Sequence, residues 1–178
     1  LNYLADIIRE TQTAALLLNL KPTEAAALLQ TKANQAAALG IPFNLDVQSN
    51  LEQLAIPAQQ LNSILGNLID NAFEAVLELA PQERSVKVAI GEDEGNYVLE
   101  VQNPGPEIDP ELQKKIFAPG FSTKGEGRGQ GLHIVREIVS RHGGTLSVSS
   151  SPTVFTVKIP KRPPGQLPPC PEHSGFRA

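Results

Sequence analysis

Three segments between Asn67 and Leu132 carry residues able to hold a phosphorylated ligand. In Asn67-Leu-Ile-Asp70-Asn71-Ala the asparagines and Glu74 fall at i, i+4 and i+7, one stripe of a helix, with Asp70 at its edge. A solvated helix face accounts equally well for a stripe of Glu or Lys, but asparagine is a poorer helix former than either. Its carbonyl oxygen is a hard ligand suited to Mg²⁺, and its amide can donate to phosphate. In Val101-Gln-Asn103-Pro-Gly105-Pro-Glu107-Ile108 a turn follows a strand pattern. Asn103 there could accept from an adenine amino group, while Gly105 lets the backbone pass close to the base. The third segment runs Ser122-Thr-Lys124-Gly125-Glu-Gly127-Arg128-Gly129-Gln-Gly131-Leu132 into a helical pattern. Free N–H groups of such a loop and of the helix start receive phosphate oxygens, and Lys124 and Arg128 add positive charge. No G-x-x-x-x-G-K-[ST] is present, so the loop is a phosphate binder of another type. A lone Pro-Gly turn or glycine linker says little; the order and spacing of the three imply an ATP site.

These segments need elements to position them. Residues 2–20 read as a helix, interrupted at Pro22, and Thr23 to Leu39 as a second helix stopped by Gly40. Phe43, Leu45 and Val47 alternate as in a half-buried strand. Pro57 opens a long helix to about Leu79, with Leu61, Ile64, Leu65, Leu68, Ile69, Ala72 and Val76 at helical spacing. Residues 85–90 and 97–101 read as strands joined by a turn over 91–96. A short helix is expected over 110–117, a glycine-rich loop over 118–130, and a helix from Leu132 to His142 closed by Gly143-Gly144. Strands over 145–149 and 153–159 complete the sheet. The order predicts an α+β fold, a two-layer α/β sandwich with a mixed, mainly antiparallel sheet and helices on one face, plus an N-terminal helical segment.

The 178 residues suffice for one substantial core. No apolar run approaches the ~18 residues that span a bilayer. A net charge of −4 with interspersed signs argues against nucleic acid as a partner. The single cysteine, Cys170, makes a reducing cytoplasm the default. The chain starts at Leu1 and has no methionine, so it is read as a piece of something longer. From Pro160, six prolines in thirteen residues mark a tail expected to lack fixed structure.

The motifs resemble the ATP-binding superfamily shared by gyrase, a heat-shock chaperone, sensor histidine kinases and the mismatch-repair MutL protein. Asn67-Leu-Ile-Asp70-Asn71-Ala matches its N box, and Val101 to Ile108 its first glycine box. Gly127-Arg-Gly129-Gln-Gly131-Leu132 matches its second, and Ile116-Phe117-Ala-Pro-Gly120-Phe121-Ser-Thr-Lys124 the phenylalanine segment between them. His142-Gly143-Gly144-Thr-Leu-Ser-Val-Ser is similar to the strand after the last helix. Asn2-Tyr3-Leu-Ala-Asp-Ile-Ile and Pro22 to Ile41 are similar to the bacterial sensor kinases of the citrate and C4-dicarboxylate branch. The resemblance implies a remnant of the dimerisation hairpin at 1–21, an ATP-binding catalytic domain at 22–160 and a tail at 161–178. It also implies Mg²⁺ on Asn71 with Asn67 assisting, adenine read at Asn103, Gly105 and Ile108, and phosphates held by Lys124, Gly125, Gly127, Arg128, Gly129, Gly131 and Leu132. Hydrolytic members carry a general-base glutamate where Asn67 stands, and an amide cannot accept a proton from water, so phosphoryl transfer fits better than hydrolysis.

A sensor kinase needs a phosphoacceptor histidine, and none of the three here suits. His142 is expected to cap a helix and meet its dipole, His133 to be a packing or surface residue, and His173 lies in the tail. The acceptor is therefore expected upstream, on a dimerisation helix of a homodimeric protein signalling to a response regulator, with this part cytoplasmic and the whole open to membrane anchoring. Two departures keep a degenerate phosphotransferase or scaffold relative open: Asn103 replaces the usual Asp, and Glu107 the usual Gly. A serine kinase of the anti-sigma type on the same fold is the other alternative.

Overall fold

The computed structural model describes residues 15–54, 56–118, 120 and 130–161. Five strands form one sheet: β1 (Phe43–Val47), β2 (Val86–Glu92), β3 (Asn96–Asn103), β4 (Thr145–Ser149) and β5 (Thr153–Pro160), in the order β1-β2-β3-β5-β4. The helices are α1 (Thr23–Ala38), α2 (Ala58–Leu77), α3 (Pro110–Lys115) and α4 (Gly131–Arg141), with a 3₁₀ turn at Pro81–Glu83. β1 runs parallel to β2 and every other pair is antiparallel, so the sheet is mixed as expected. The parallel pair requires the intervening chain to cross over, and α2 is that crossover.

Alternation builds the core. Val86, Val88 and Ile90 of β2, Tyr97, Leu99 and Val101 of β3, and Phe155, Val157 and Ile159 of β5 are all buried, while Lys87 and Lys158 between them are exposed. The register aligns Ile90, Leu99, Val157 and Leu146 in one cross-strand row and Val88, Val101, Phe155 and Val148 in the next. One step further the row turns polar, where Asn103 faces Thr153. Both are buried, at 2% and 7% exposure, at the end of an otherwise apolar face.

The helices cover that face. α2 buries Leu61, Ile64, Leu65, Leu68, Ile69, Ala72, Phe73 and Val76, the expected set with Phe73 added. Phe73 meets Phe43 edge-on with ring centroids 5.7 Å apart. A buried side chain of this size stabilises by about 1.5–3 kcal/mol. Two mid-helix asparagines each cost only a fraction of a kcal/mol. Packing therefore fixes α2 and leaves its other face open to functional residues.

The ends of the helices obey local rules. Gly40 (φ +66°) and Gly143 (φ +70°) take the left-handed conformation after α1 and α4. In each case the paired carbonyls of a Schellman motif are satisfied: Ile41 N donates to Ala36 O and Gly40 N to Ala37 O, Gly144 N to Val139 O and Gly143 N to Ser140 O. Asp109 caps α3 by accepting from Glu111 N at 2.8 Å. The expected turn at 91–96 is shorter, because Gly91 and Glu92 pair with Val98 and Tyr97. Asp93 organises it, its carboxylate accepting from the backbone of Gly95 and Asn96. Helix ends differ from the sequence reading by one or two residues: α2 ends at Leu77, α3 at Lys115, and α4 starts at Gly131. Of the helix predicted over 2–20, residues 15–17 are helical, but Leu18 and Asn19 form a turn and Leu20 is irregular, so the helix ends three residues earlier than expected; residues 1–14, and the tail beyond Lys161, lie outside the described residues.

Candidate nucleotide site

The asparagine stripe is real. Asn67 and Asn71 stand half-buried one helical turn apart on α2, with Glu74 exposed a further turn along. Asn67 Nδ2 donates to the carbonyl of Ser63 at 2.7 Å and meets the Ser63 hydroxyl at 3.4 Å, which directs its amide donors at Ser63 and leaves Oδ1 as the acceptor. That oxygen lies against the start of α4: a Cβ added to Gly131 would sit 2.6 Å from it. The helix start that was expected to receive phosphate is thus packed directly on the N box. Its N-cap residue, Gln130, supplies no side-chain hydrogen bond to the first-turn N–H groups of α4. Leu132 is half-buried and packs on the core, holding that turn in place.

A second cluster forms where the sheet face becomes polar. Asn103 Nδ2 donates to Pro104 O at 2.8 Å, which orients the amide with its oxygen as the remaining acceptor. Gly105 follows closely, its hypothetical Cβ lying 3.6 Å from both Asn103 Nδ2 and Thr153 Oγ1. Thr153 escaped the sequence reading: it opens a strand 50 positions downstream, and only the β3–β5 register brings its hydroxyl to Asn103. A polar residue at an inward position of an apolar alternating run was the available signal. Glu107 is exposed, with its backbone beyond the turn rather than in the buried cluster.

The loop after Asn103 is anchored at two points. Gln113 Nε2 donates to Ile108 O at 2.9 Å, and Phe117 meets Phe155 edge-on with centroids 6.3 Å apart. Lys124, Gly125, Gly127, Arg128 and Gly129 lie outside the described residues. Among the described residues, no group of three or more His, Cys, Asp or Glu could hold a metal ion.

Two side chains near these elements correct or refine expectations. His142 does terminate α4, but burial first and the neighbouring Arg141 second hold its imidazole below the ordinary value, which disfavours the cation that would complement the helix dipole. Its Nε2 instead pairs with Gln60 Oε1 on α2 at 2.7 Å. His133 is half-buried; its Nε2 lies 3.9 Å from Glu137, and its buried Nδ1 has no hydrogen-bond partner among the described residues.

The fold, with an asparagine-bearing helix packed on a helix start and a polar turn at a strand end, is that of a nucleotide-binding domain. Residues 57–163 match the family described as histidine kinase-, DNA gyrase B-, and HSP90-like ATPase. The chain belongs to this family, as a catalytic domain of the sensor histidine kinase type. It is 36% identical over 159 residues to the sensor protein CitS of Bacillus subtilis, covering 86% of this chain and 29% of CitS. It is likewise 36% identical over 157 residues to the sensor histidine kinase DcuS of Escherichia coli, covering 85% of this chain and 28% of DcuS. The chain thus spans less than a third of the relatives it matches. Among solved structures, the catalytic domain of histidine kinase ThkA superposes with a TM-score of 0.67 at 26% identity, covering 80% of this chain and 93% of that one. ThkA has also been solved in complex with the response regulator TrrA, and that kinase chain matches with a TM-score of 0.64 at 26% identity, over 83% of this chain and 42% of its own.

Proposed function

We propose that the chain binds Mg·ATP and transfers its γ-phosphoryl group to a histidine borne on an upstream dimerisation helix, from which a response regulator is charged. The observation that carries this reading is the contact of Asn67 with Gly131, which unites the N box with the phosphate-side helix start. The relatives are sensor kinases, and one structural relative is held in a complex with a response regulator. Residues 1–21 would then be the remnant of the dimerisation hairpin, in a homodimeric protein anchored at the membrane elsewhere; among the described residues no helix is long and apolar enough to cross one.

In this proposal Asn103 Oδ1 accepts from the adenine amino group, with the Thr153 hydroxyl beside it, and Gly105 and Ile108 shape the base pocket. Asn71 would supply an amide oxygen to Mg²⁺, and Asn67, whose amide donors are directed at Ser63, would assist at the metal rather than at phosphate. Mg²⁺ when bound neutralises charge on the phosphates. The N–H groups of Gly131 and Leu132, with Lys124, Arg128 and the amides of Gly125, Gly127 and Gly129, hold the phosphoryl oxygens in line for the acceptor nitrogen. The P–O bond to the leaving ADP breaks as the P–N bond forms, and the imidazole gives up its proton to solvent water. Asn67 offers no base for water, which disfavours hydrolysis.

Calorimetric titration with a non-hydrolysable ATP analogue, with and without Mg²⁺, tests this. Mg-dependent binding that is lost in Asn71→Ala is expected. Wild-type affinity in that variant would sink the metal assignment, and no binding by the wild type at millimolar nucleotide would leave a retired site.

A further inference from the structure

One charged side chain stands where α1 should be apolar. Ala25, Leu29, Lys32 and Ala36 fall at i, i+4, i+7 and i+11, a single stripe, and the other three are fully buried. The Lys32 side chain is only 12% exposed. Burying an ammonium is unfavourable unless it is paired, and Lys32 is paired: its Nζ donates to Asp70 Oδ1 at 2.5 Å and to Gln35 Oε1 at 3.2 Å. A leucine or methionine would fill the same position, and with the Asp70 side chain 49% exposed the ion pair itself adds only a little to stability. Stability alone therefore does not account for the lysine. Its partner does: Asp70 lies within the N box, adjacent to Asn71 and three residues from Asn67.

We propose that Lys32 is a positioning residue for the nucleotide site, neutralising Asp70 and holding its carboxylate away from the phosphates that Asn67 and Asn71 serve. This rests on the nucleotide reading above. With Lys32 removed, an uncompensated carboxylate would stand beside a polyanion, and the more highly charged nucleotide would suffer more.

The test is calorimetry on this chain with Mg²⁺ and either a non-hydrolysable ATP analogue or ADP, beside a thermal melt. Lys32→Met should bind the ATP analogue about tenfold more weakly and ADP about threefold more weakly, with little change in Tm. Lys32→Arg should bind as wild type. Asp70→Asn should bind equally well or more tightly, and the Lys32→Met/Asp70→Asn double variant should return to within about twofold of wild type. A purely structural role would move Tm without separating the two nucleotides. The inference is overturned by Lys32→Met binding like the wild type, or by Asp70→Asn losing affinity, which would make Asp70 itself the ligand. If Lys32→Met does not fold, Asp70→Asn alone decides by the same criterion. A wild type that binds neither nucleotide defeats the nucleotide reading and this inference together, whereas a binding wild type with an indifferent Lys32→Met defeats this inference only.

Discussion

Gly131 and Asn67 are so close that a methyl group on the glycine would stand 2.6 Å from Asn67 Oδ1, and 3.3 Å from its Cγ. The obstructing atom is the end of a side chain, but that side chain is tied down by the bond from Nδ2 to Ser63 O. The contact sets how near the start of α4 comes to the N box, and so the width of the space proposed above to receive the phosphates.

Gly131→Ala is expected to force Asn67 off its Ser63 bond. The fold should tolerate this at a cost of about 1–3 kcal/mol, since one short polar side chain can give way. Nucleotide affinity should fall at least about tenfold, because the displaced amide and the shifted helix start both belong to the site. Adding Asn67→Ala should recover the stability but not the binding, a non-additivity readable from urea melts and calorimetry on the four proteins. Affinity unchanged in Gly131→Ala would show that this contact is packing only.

Asn103→Asp should weaken the empty protein. The amide nitrogen that donates to Pro104 O at 2.8 Å would become a carboxylate oxygen facing a carbonyl, at a position only 2% exposed. A buried acceptor without a donor costs about 1–3 kcal/mol. An adenine amino group would supply part of the missing donor, so the rise in Tm on adding ATP should be larger than for the wild type. Equal melting of the two empty proteins would overturn this account of the turn.

His142 predicts the direction of a pH dependence. Burial, and then Arg141, lower its folded pKa from the ordinary imidazole value of about 6.5. Between the folded and ordinary values the unfolded chain binds more protons, so stability rises with pH through that window and levels off above it. On acidification this contribution is lost from about pH 6.5 downward. His142→Ala should flatten that part of the curve and cost about 0.5–1.5 kcal/mol at neutral pH through the lost bond to Gln60. Urea midpoints measured from about pH 5 to pH 8 for both proteins would show it; parallel curves would remove His142 as the cause.

Much of this protein is legible from local chemistry. Helical spacing from Leu61 to Val76, alternation in the strands, and the glycines at 40 and 143 each act within a few residues, so periodicity and turn preference located α2, the strands and both helix stops. The asparagines, the Pro-Gly turn and the alternating glycines pointed to the nucleotide-binding family for the same reason, since each motif is contiguous. The structure alone decided what depends on meetings between distant segments. Nothing local made β1 parallel to β2, placed β5 between β3 and β4, or set Thr153 opposite Asn103. Nor could spacing show that Lys32 meets Asp70 across 38 positions, that His142 bonds Gln60, or that Asn67 abuts Gly131. Periodicity tells which face of an element is buried; it carries no information about which other element the chain folds against it, and that pairing is settled by the packing of the whole core.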